Sequence, residues 1–364
     1  MCKVSIVLPV YNGEKYLRES LDSILEQSFV DWELVIVNDC STDSSIEIVE
    51  EYIKKDNRIR LINNDVNKKL PASLNIGFEQ AKGEYLTWTS DDNIYLKTAI
   101  EKMVEYLDTH DDMLVCAGMK SIDENGKVFA EWGAYTDDFM FYLDGVGACF
   151  MYRREVIDDI GGYDTGMFLV EDYEYWLRIL THYGSIGYIN EKLYLYRFHG
   201  NSLTGTRKRD IRTQLLRLRR RYFENIMNHY ESDFYYLTRM YVEFLFDKTG
   251  EFDDLIPLFQ EKWGMLKKLV VLGEEDRLIA YGAGNVGNKA FEILGSRIEM
   301  YADKSADKYG YQKNGIEIIH PDQIKNYIND RKVLITMTEE KIYEVLNDPA
   351  VSTIDEIYIY EWKI

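Results

Sequence analysis

Acidic and polar residues follow three predicted strands in the first hundred residues, and their types suit a nucleotide site. They are Tyr11, Asn12 and Glu14 after the first strand, Asp39 and Asp43 after the second, and Ser90, Asp91, Asp92 and Asn93 after the fourth. Converging carboxylates need a cation, a hydrogen-bond donor or separation. One Asp can accept from a base edge and another can hold a divalent metal, although each alone could equally cap the next helix. Together the groups favour a nucleotide site over separate caps.

These polar groups can form one site only if the strands that they follow end at the same edge of one sheet. Apolar runs predict strands at residues 3–9, 32–38, 58–63 and 84–89, with helices at 17–25, 44–55 and 72–81 between them. Continuous apolar runs indicate strands covered on both faces. The βαβαβαβ order predicts an α/β fold with a parallel, doubly wound sheet. In such sheets ligands bind beyond the carboxyl ends of the strands.

The pattern changes twice along the rest of the chain. Shorter strands and hairpins follow residue 113, residues 206–272 read as helical, and a second α/β pattern begins near 275. We therefore predict a catalytic domain at 1–206, a helical connector at 207–273 and a small α/β domain at 274–364.

Composition limits the function classes. The 364 residues contain 43 Lys and Arg against 63 Asp and Glu, a formal net charge of −20. This acidity argues against nucleic acid as a partner, because phosphate backbones need clustered positive charge. Four scattered cysteines predict neither a zinc motif nor a disulfide framework. The apolar run at the start is too short to predict a signal peptide, and no spanning segment is expected. We predict a cytoplasmic protein.

Several motifs in order resemble those of family 2 glycosyltransferases. They are SIVLPVYNG at 5–13, ELVIVNDCSTD at 33–43, LPASLN at 70–75, AKGEYL at 81–86, TSDD at 89–92, GGYD at 161–164, ED at 171–172 with WLR at 176–178, and YRFH at 196–199 with Ser202. The resemblance covers about residues 2–206. It implies a GT-A fold and inverting transfer of a sugar from a nucleoside-diphosphate donor, with a UDP-sugar favoured.

The resemblance also implies residue roles. Donor-binding positions are Pro9, Tyr11, Asn12, Glu14, Asp39, Lys69, Ser90, Asp92 and Arg197. In these roles Tyr11 stacks on the base, Asp39 accepts from its ring NH and Arg197 lies near the phosphates. Asp91 and His199 match ligands of Mn²⁺ or Mg²⁺, which would neutralise the diphosphate leaving group. Asp172 matches the catalytic base that takes the acceptor hydroxyl's proton.

Two acceptor-side positions, Glu171 and Trp176, have competing interpretations. Glu171 either contacts the acceptor or orients the loop beside Asp172. Trp176 either stacks on a sugar or packs in the core of an amphipathic helix. Asp92 has a further alternative as a helix cap.

Two positions depart from the family pattern. Thr89 stands where the family usually has an acidic metal-motif residue, and Leu74 stands where it often has Arg, with Lys69 a possible substitute. The first alternative function is therefore a nucleotide-sugar-binding protein with weak turnover.

A complete GxGxxG motif occurs near the C-terminus. Gly282, Gly284 and Gly287 follow one predicted strand and open a helix, and Asp303 ends the next strand. This context is typical of nucleotide-binding turns. The region resembles small Rossmann-like domains attached to sugar-modifying enzymes, which either bind a nucleotide or serve for docking. A second alternative function is an NAD-dependent sugar oxidoreductase centred here.

A basic run occupies residues 207–221 of this acidic chain. It suits peripheral contact with the inner face of an anionic membrane, as would help an enzyme with a lipid-linked acceptor. The alternative is an ordinary solvated helix paired with acidic neighbours. The expected acceptor is a glycan or a lipid-linked acceptor in cell-surface polysaccharide or glycan synthesis.

Overall fold

The computed structural model describes residues 2–133, 140–230, 234–247, 249–273, 276–305, 311–337 and 341–360. The chain divides into two compact units, Met1–His229 and Tyr230–Ile364. The predicted three-part division stays a prediction. Residues 274 and 275, at its second boundary, lie outside the described residues.

The first unit is an α/β structure built on one sheet. Its strands are β1 Val4–Val10, β2 Trp32–Asn38, β3 Ile59–Asn63, β4 Tyr85–Trp88, β5 Ile94–Tyr95, β6 Leu114–Ile122, β7 Val128–Trp132, β8 Phe150–Arg153 and β9 Gly187–Arg197. Its α-helices are α1 Leu17–Leu25, α2 Ser45–Lys55, α3 Leu70–Gln80, α4 Ala99–Thr109, α5 Arg154–Ile160, α6 Glu171–Tyr183, α7 Leu203–Thr206, α8 Lys208–Arg221 and α9 Phe223–His229.

The strands run in the order β3-β2-β1-β4-β8-β6-β9-β5, and β7 pairs with β6. Strands β1 to β4 are mutually parallel, which confirms the predicted α/β fold with a mainly parallel sheet. Every residue of β2 is buried, as expected for a sheet covered on both faces. Val10 of β1 pairs with Asn38 of β2, and Val7 pairs with Trp88 of β4, so the polar groups after these strands share one edge.

The second unit contains another mainly parallel sheet. Its strands are β10 Leu269–Val271, β11 Leu278–Tyr281, β12 Ile298–Ala302, β13 Gln312–Lys313, β14 Ile316–Ile319, β15 Lys332–Ile335 and β16 Ile357–Ile359, in the order β10-β16-β15-β11-β12-β14-β13. Its α-helices are α10 Phe234–Leu245, α11 Leu255–Lys262, α12 Asn285–Leu294, α13 Ile342–Leu346 and α14 Pro349–Ser352.

Strand β10 differs from the sequence expectation, which placed residues 269–271 in a helical connector. These residues pair in parallel with Ile357–Ile359. The run is too short for its own periodicity to reveal a strand, and its pairing partner lies almost ninety residues later, so tertiary pairing decides its conformation. Within the described residues no helix has the length and apolar character needed to cross a bilayer.

Candidate functional site

A cleft of about 660 Å³ opens at the carboxyl edge of the first sheet. The predicted site residues that line it are Pro9, Tyr11, Asn12, Asp39, Lys69, Ser90, Asp91, Asp92, Glu171, Asp172 and His199. They come from the ends of β1, β2 and β4, from the starts of α3 and α6, and from the segment after β9. The fold thus brings together residues that are up to 190 positions apart in the sequence.

One part of the cleft offers an aromatic face and a carboxylate. Tyr11 is 53% exposed, so its ring is available to a planar ligand. Asp39 is buried, and its Oδ1 accepts from Asn64 Nδ2 and from the Lys68 amide, both at 2.8 Å. Its Oδ2 accepts the Lys69 amide at 2.9 Å. Since each carboxylate oxygen can accept about two hydrogen bonds, Asp39 Oδ2 retains capacity for one donor from a ligand.

Lys69 serves this region through its main chain. Its φ is 73°, an uncommon value for a residue with a side chain, and in this conformation its amide reaches Asp39. Its ammonium group instead lies 6.0 Å from the Phe168 ring centroid at the cleft wall.

A second part of the cleft concentrates negative charge around Asp91. Burial, followed by the negative charges of Asp92 and Asp43, raises the pKa of Asp91 to about 8. His199 Nε2 lies 2.9 Å from Asp92 Oδ2, and its ring lies 5.1 Å from the Tyr16 ring. A buried carboxylate beside like charges is the arrangement that a cation would relieve.

The donor set fits a divalent ion only in part. Asp91 supplies a carboxylate and His199 an imidazole in the same cleft. The described residues contain no group of three or more His, Cys, Asp or Glu side chains arranged to hold a metal. Phosphate oxygens of a bound donor would have to complete the coordination.

A third part of the cleft lies at the first turn of α6. Asp172 Oδ1 accepts the Tyr173 amide at 2.7 Å, and Glu171 Oε2 accepts the Leu169 amide at 2.6 Å. Burial raises the pKa of Asp172 above its ordinary value. Burial and the charge of Asp172 raise the pKa of Glu171 to about 8. Glu171 thus orients the preceding loop, the alternative that the sequence left open, while it still lines the cleft.

Asp144 is a carboxyl group that sequence reasoning missed. Its Oδ1 accepts the Val146 and Gly147 amides, each at 3.1 Å. Burial and the charge of Asp172 raise its pKa to about 7. It belongs to none of the recognised motifs, so only its proximity to Asp172 in the fold identifies it. Two cations that line the cleft, Lys15 and Arg207, were also not assigned to the site from the sequence.

Glu14 does not line the cleft, which corrects its predicted donor-binding position. Its Oε2 accepts the Ser44 amide at 2.9 Å, and its own amide donates to Asp43 Oδ2 at 3.1 Å. Ser44 immediately precedes α2, so Glu14 satisfies a main-chain donor at the start of that helix.

Arg197, predicted near the phosphates, does not line the cleft and is occupied by contacts within the protein. It is 2% exposed, its Nε donates to the Asp92 carbonyl at 2.9 Å, and its Nη2 lies 2.7 Å from Glu19 Oε2. Its guanidinium also lies 4.4 Å from the Tyr16 ring centroid. These contacts tie β9 to α1 and to the loop after β4, a structural role that the YRFH motif does not reveal.

Trp176 is completely buried, which corrects its predicted contact with an acceptor. Its ring packs 4.4 Å from Phe150 and 5.8 Å from Tyr175. The core-packing alternative from the sequence is therefore the one that the structure favours.

The two departures from the family motif are accommodated in the core. Thr89 is buried, and its hydroxyl lies 2.5 Å from that of Tyr194 on β9. Leu74 is completely buried, and the adjacent Asn75 exchanges hydrogen bonds of 2.8 Å with the main chain of Tyr163.

The basic run at 207–221 does not form one continuous cationic surface. Arg219 is buried and donates to the Tyr142 carbonyl at 3.1 Å. Arg221 pairs with Asp164 at 2.7 Å, and Arg207 pairs with Asp210 at 2.5 Å. For these three residues the structure favours pairing within the protein.

The second unit has its own cavity of about 440 Å³ beside the GxGxxG motif, lined by Gly282, Gly284 and Asp303 among others. Gly282 has a φ of 114°, and a Cβ on Gly287 would lie 2.4 Å from the Gly282 carbonyl oxygen. The Asp303 oxygens accept the amides of Ala283 at 2.8 Å and Ser305 at 2.9 Å. Asp303 therefore holds the glycine loop itself, in addition to bordering the cavity.

Comparisons with known proteins agree with the geometry of the first unit. Residues 5–161 match the model of the family described as Glycosyl transferase family 2. A putative glycosyltransferase of Bacillus subtilis (strain 168), EpsE, is 34% identical over 203 residues, which cover 54% of this chain and 73% of EpsE.

Solved structures share the fold at low sequence identity. Staphylococcus aureus TarS 1-349 in complex with UDP-GlcNAc has a TM-score of 0.50 and 20% identity, covering 73% of this chain and 80% of that one. The mannosyltransferase PcManGT from Pyrobaculum calidifontis, in complex with GDP-Man and Mn²⁺, has a TM-score of 0.53 and 14% identity, covering 72% of this chain and 74% of that one.

Proposed function

This chain belongs to glycosyl transferase family 2, and from that premise we propose that it transfers a sugar from a UDP-sugar to an acceptor hydroxyl with inversion. The observation that carries the proposal is the convergence of Tyr11, Asp39, Asp91, Asp172 and His199 on one cleft. The acceptor belongs to a cell-surface polysaccharide or glycan, and the enzyme works in the cytoplasm.

The donor's nucleobase would lie against Tyr11 with its ring NH directed to Asp39. Support comes from the exposed Tyr11 ring and from the free hydrogen-bonding capacity of Asp39 Oδ2. The fold neighbours TarS 1-349 and PcManGT bind UDP-GlcNAc and GDP-Man, respectively.

The diphosphate would lie near Asp91 and His199, which would hold Mn²⁺ or Mg²⁺ with it. The bound ion supplies charge neutralisation for the leaving group. Arg207 and Lys15 line the same cleft, and each makes an exposed ion pair, with Asp210 and with Glu124, that a phosphate oxygen can replace. In this proposal these two cations, and not Arg197, add positive charge at the phosphates.

The transfer step requires a base for the acceptor hydroxyl. The hydroxyl oxygen attacks the anomeric carbon as the bond from that carbon to the diphosphate oxygen breaks, and the nucleoside diphosphate leaves. Asp172 takes the hydroxyl proton. Attack opposite to the leaving group inverts the anomeric configuration.

Full-length protein tested with UDP-sugars and GDP-sugars, with and without Mn²⁺, will test the proposal. We expect UDP to raise the melting temperature in the presence of Mn²⁺ and a UDP-sugar to be consumed, with NMR showing a product of inverted configuration. A nucleotide-sugar-binding protein would show the thermal shift without consumption. Absence of any nucleotide-dependent shift contradicts the proposal.

The cavity beside Gly282 and Gly284 favours a second, separate binding function. We propose that this Rossmann-like unit binds a nucleotide or nucleotide sugar. Titration of the full chain and of its Gly284→Val variant with a nucleotide or nucleotide sugar, followed by calorimetry, tests this. A Cβ at Gly284 meets no atom within 4 Å, so the variant should fold, while the larger side chain would occupy the cavity mouth. We expect the natural protein to bind nucleotide at two sites, one in each unit, and the variant to keep only the site in the first unit. A titration with NADH that shows no binding removes the oxidoreductase alternative.

A further inference from the structure

Five large apolar side chains of β7 and of the segment after β9 are exposed in the first unit: Val128, Phe129, Trp132, Phe198 and Leu203, each 39–59% exposed. We call this set the aromatic patch. Scattered exposed apolar residues are ordinary, but a contiguous set marks an interaction surface.

Ring and hydrogen-bond contacts connect the patch to the cleft. Phe129 of β7 lies 5.5 Å from Phe198, which lies 5.1 Å from Tyr196. The Tyr196 hydroxyl is 3.2 Å from the Thr204 hydroxyl of α7. Tyr196, Leu203 and Thr204 all line the cleft. The patch therefore begins where the cleft opens.

Exposed positive charge follows the patch along the chain. Lys208 and Arg209 begin α8, two residues after the end of the helix that carries Leu203, and both are exposed. Neither takes part in an ion pair with any side chain that the structure describes, whereas the adjacent Arg207 pairs with Asp210. Leu203 of the patch and these two exposed cations thus lie within six residues of one another along the chain.

This combination matches the interfacial region of an anionic bilayer. Aromatic side chains concentrate at the level of lipid headgroups, and each nearby Lys or Arg adds attraction to anionic lipid. Pockets for single ligands, in contrast, surround most of the ligand, whereas these side chains project outward. We propose that the aromatic patch, with Lys208 and Arg209, docks the enzyme on an anionic lipid surface.

A second copy of the chain is a less suitable occupant. Among the described residues β7 pairs only with β6, which leaves its other edge without a partner strand, but Glu131 lies on β7 and pairs with Lys120 of β6 at 3.1 Å. Charged residues on an edge strand oppose pairing between chains. The choice of acceptor by docking rests on the proposed transfer function. It adds to that function, because a cleft that opens at a membrane selects lipid-linked acceptors.

Co-sedimentation of the full chain with vesicles tests the docking surface. The vesicles contain phosphatidylcholine alone or with about 30% phosphatidylglycerol at low salt. Three double variants are compared with the natural sequence: Val128→Ser/Phe129→Ser in the patch, Lys208→Glu/Arg209→Glu beside it, and Val30→Ser/Ile293→Ser as a control of similar exposure elsewhere.

We expect the natural protein and the control to bind anionic vesicles, and the patch variant to bind about tenfold less. The charge variant should lose binding to anionic vesicles only. Equal binding by all proteins, or no binding at low salt, overturns the proposal. Self-association that disappears in the patch variant instead identifies a copy of the chain as the occupant.

Donor hydrolysis and melting temperature are measured on the same samples. If these remain normal while vesicle binding is lost, the docking surface is separate from the donor site. If the UDP-induced thermal shift is absent from every protein but patch-dependent vesicle binding persists, the proposed transfer function fails and the docking proposal stands.

Discussion

At the scale of single residues, the assignment of Asp172 as the base makes a direct prediction. Asp172→Asn keeps the side-chain size but cannot take a proton, so the transfer rate should fall by about 10²–10⁴-fold while the UDP-induced thermal shift persists. Asp159→Asn is the matched control, because Asp159 is exposed and pairs with His182 away from the cleft. Near-normal transfer by Asp172→Asn contradicts the assignment.

The carboxyl groups near Asp172 also predict a pH dependence. Asp172 must be ionised to act, and its raised pKa means that activity should increase as pH rises above the ordinary range of an aspartate. Burial and the charge of Asp172 keep Asp144 protonated up to about pH 7, so Asp144 carries no charge while Asp172 ionises. We therefore expect the acidic limb of the kcat/KM profile to stay at the same pH in Asp144→Asn. A limb that moves to lower pH in this variant would show that Asp144 is already ionised when Asp172 loses its proton.

Folding stability should change in the opposite direction over the same pH range. The folded state holds protons on Asp144 up to about pH 7 and on Glu171 up to about pH 8, whereas the unfolded chain releases them near pH 4. The folded state therefore binds more protons between about pH 4 and 8, and the free energy of unfolding falls as pH rises. Denaturant titrations of the metal-free protein across this range measure the slope. These burial effects would be contradicted if the free energy of unfolding rose with pH over this range both in the natural protein and in Asp144→Asn.

At the scale of secondary-structure elements, the loop after β1 passes so close to Asp91 that position 13 has room only for Gly. A Cβ at this position would lie 2.0 Å from Asp91 Oδ2, so Gly13→Ala must displace the carboxylate. We expect the Mn²⁺-dependent thermal shift by UDP to be largely lost. Gly133→Ala is the control, since a Cβ there meets nothing within 4 Å. An unchanged shift in Gly13→Ala would mean that Asp91 does not contribute to donor binding.

Arg197 provides a test of a structural role against a phosphate-binding role. Arg197→Met removes charge-assisted hydrogen bonds that join β9, α1 and the loop after β4, and should cost about 2–4 kcal/mol of stability. The control Arg18→Met breaks an exposed pair with Glu51 and should cost at most about 1 kcal/mol. UDP affinity of the folded fraction should be unchanged in Arg197→Met. A weakened affinity without a loss of stability would restore the phosphate role.

The elements show how far local sequence information extends. Strand β2 begins and ends at the predicted residues, 32–38, because it centres on the apolar residues 34–37 and Asp31 and Asp39 lie just outside it. Pairing of β6 with β9 joins residues about seventy positions apart, and neither strand has a strictly alternating pattern, so their adjacency was not readable. The same limit applies to the site: Asp39 and Asp91 follow recognisable strands, whereas Asp144 and the alternative role of Arg197 depend on long-range packing.

At the scale of the whole molecule, the net charge of −20 predicts dependence on a divalent cation. An anionic diphosphate must enter a cleft that already contains Asp39, Asp91, Asp92 and Asp172. We expect EDTA to abolish both transfer and the UDP-induced thermal shift, and Mn²⁺ or Mg²⁺ to restore them. Full activity after exhaustive chelation would show that Lys15 and Arg207 suffice for charge compensation.

The hydrogen bond between Thr89 and Tyr194 limits how this sequence can change. A carboxylate in place of the Thr89 side chain would bury an additional charge against the Tyr194 hydroxyl and beside Asp91 and Asp92. Such a charge is costly unless a partner arrives with it. The residue after β4 and its partner on β9 therefore constrain each other: a substitution of Thr89 by an acidic residue should lose stability unless position 194 changes as well.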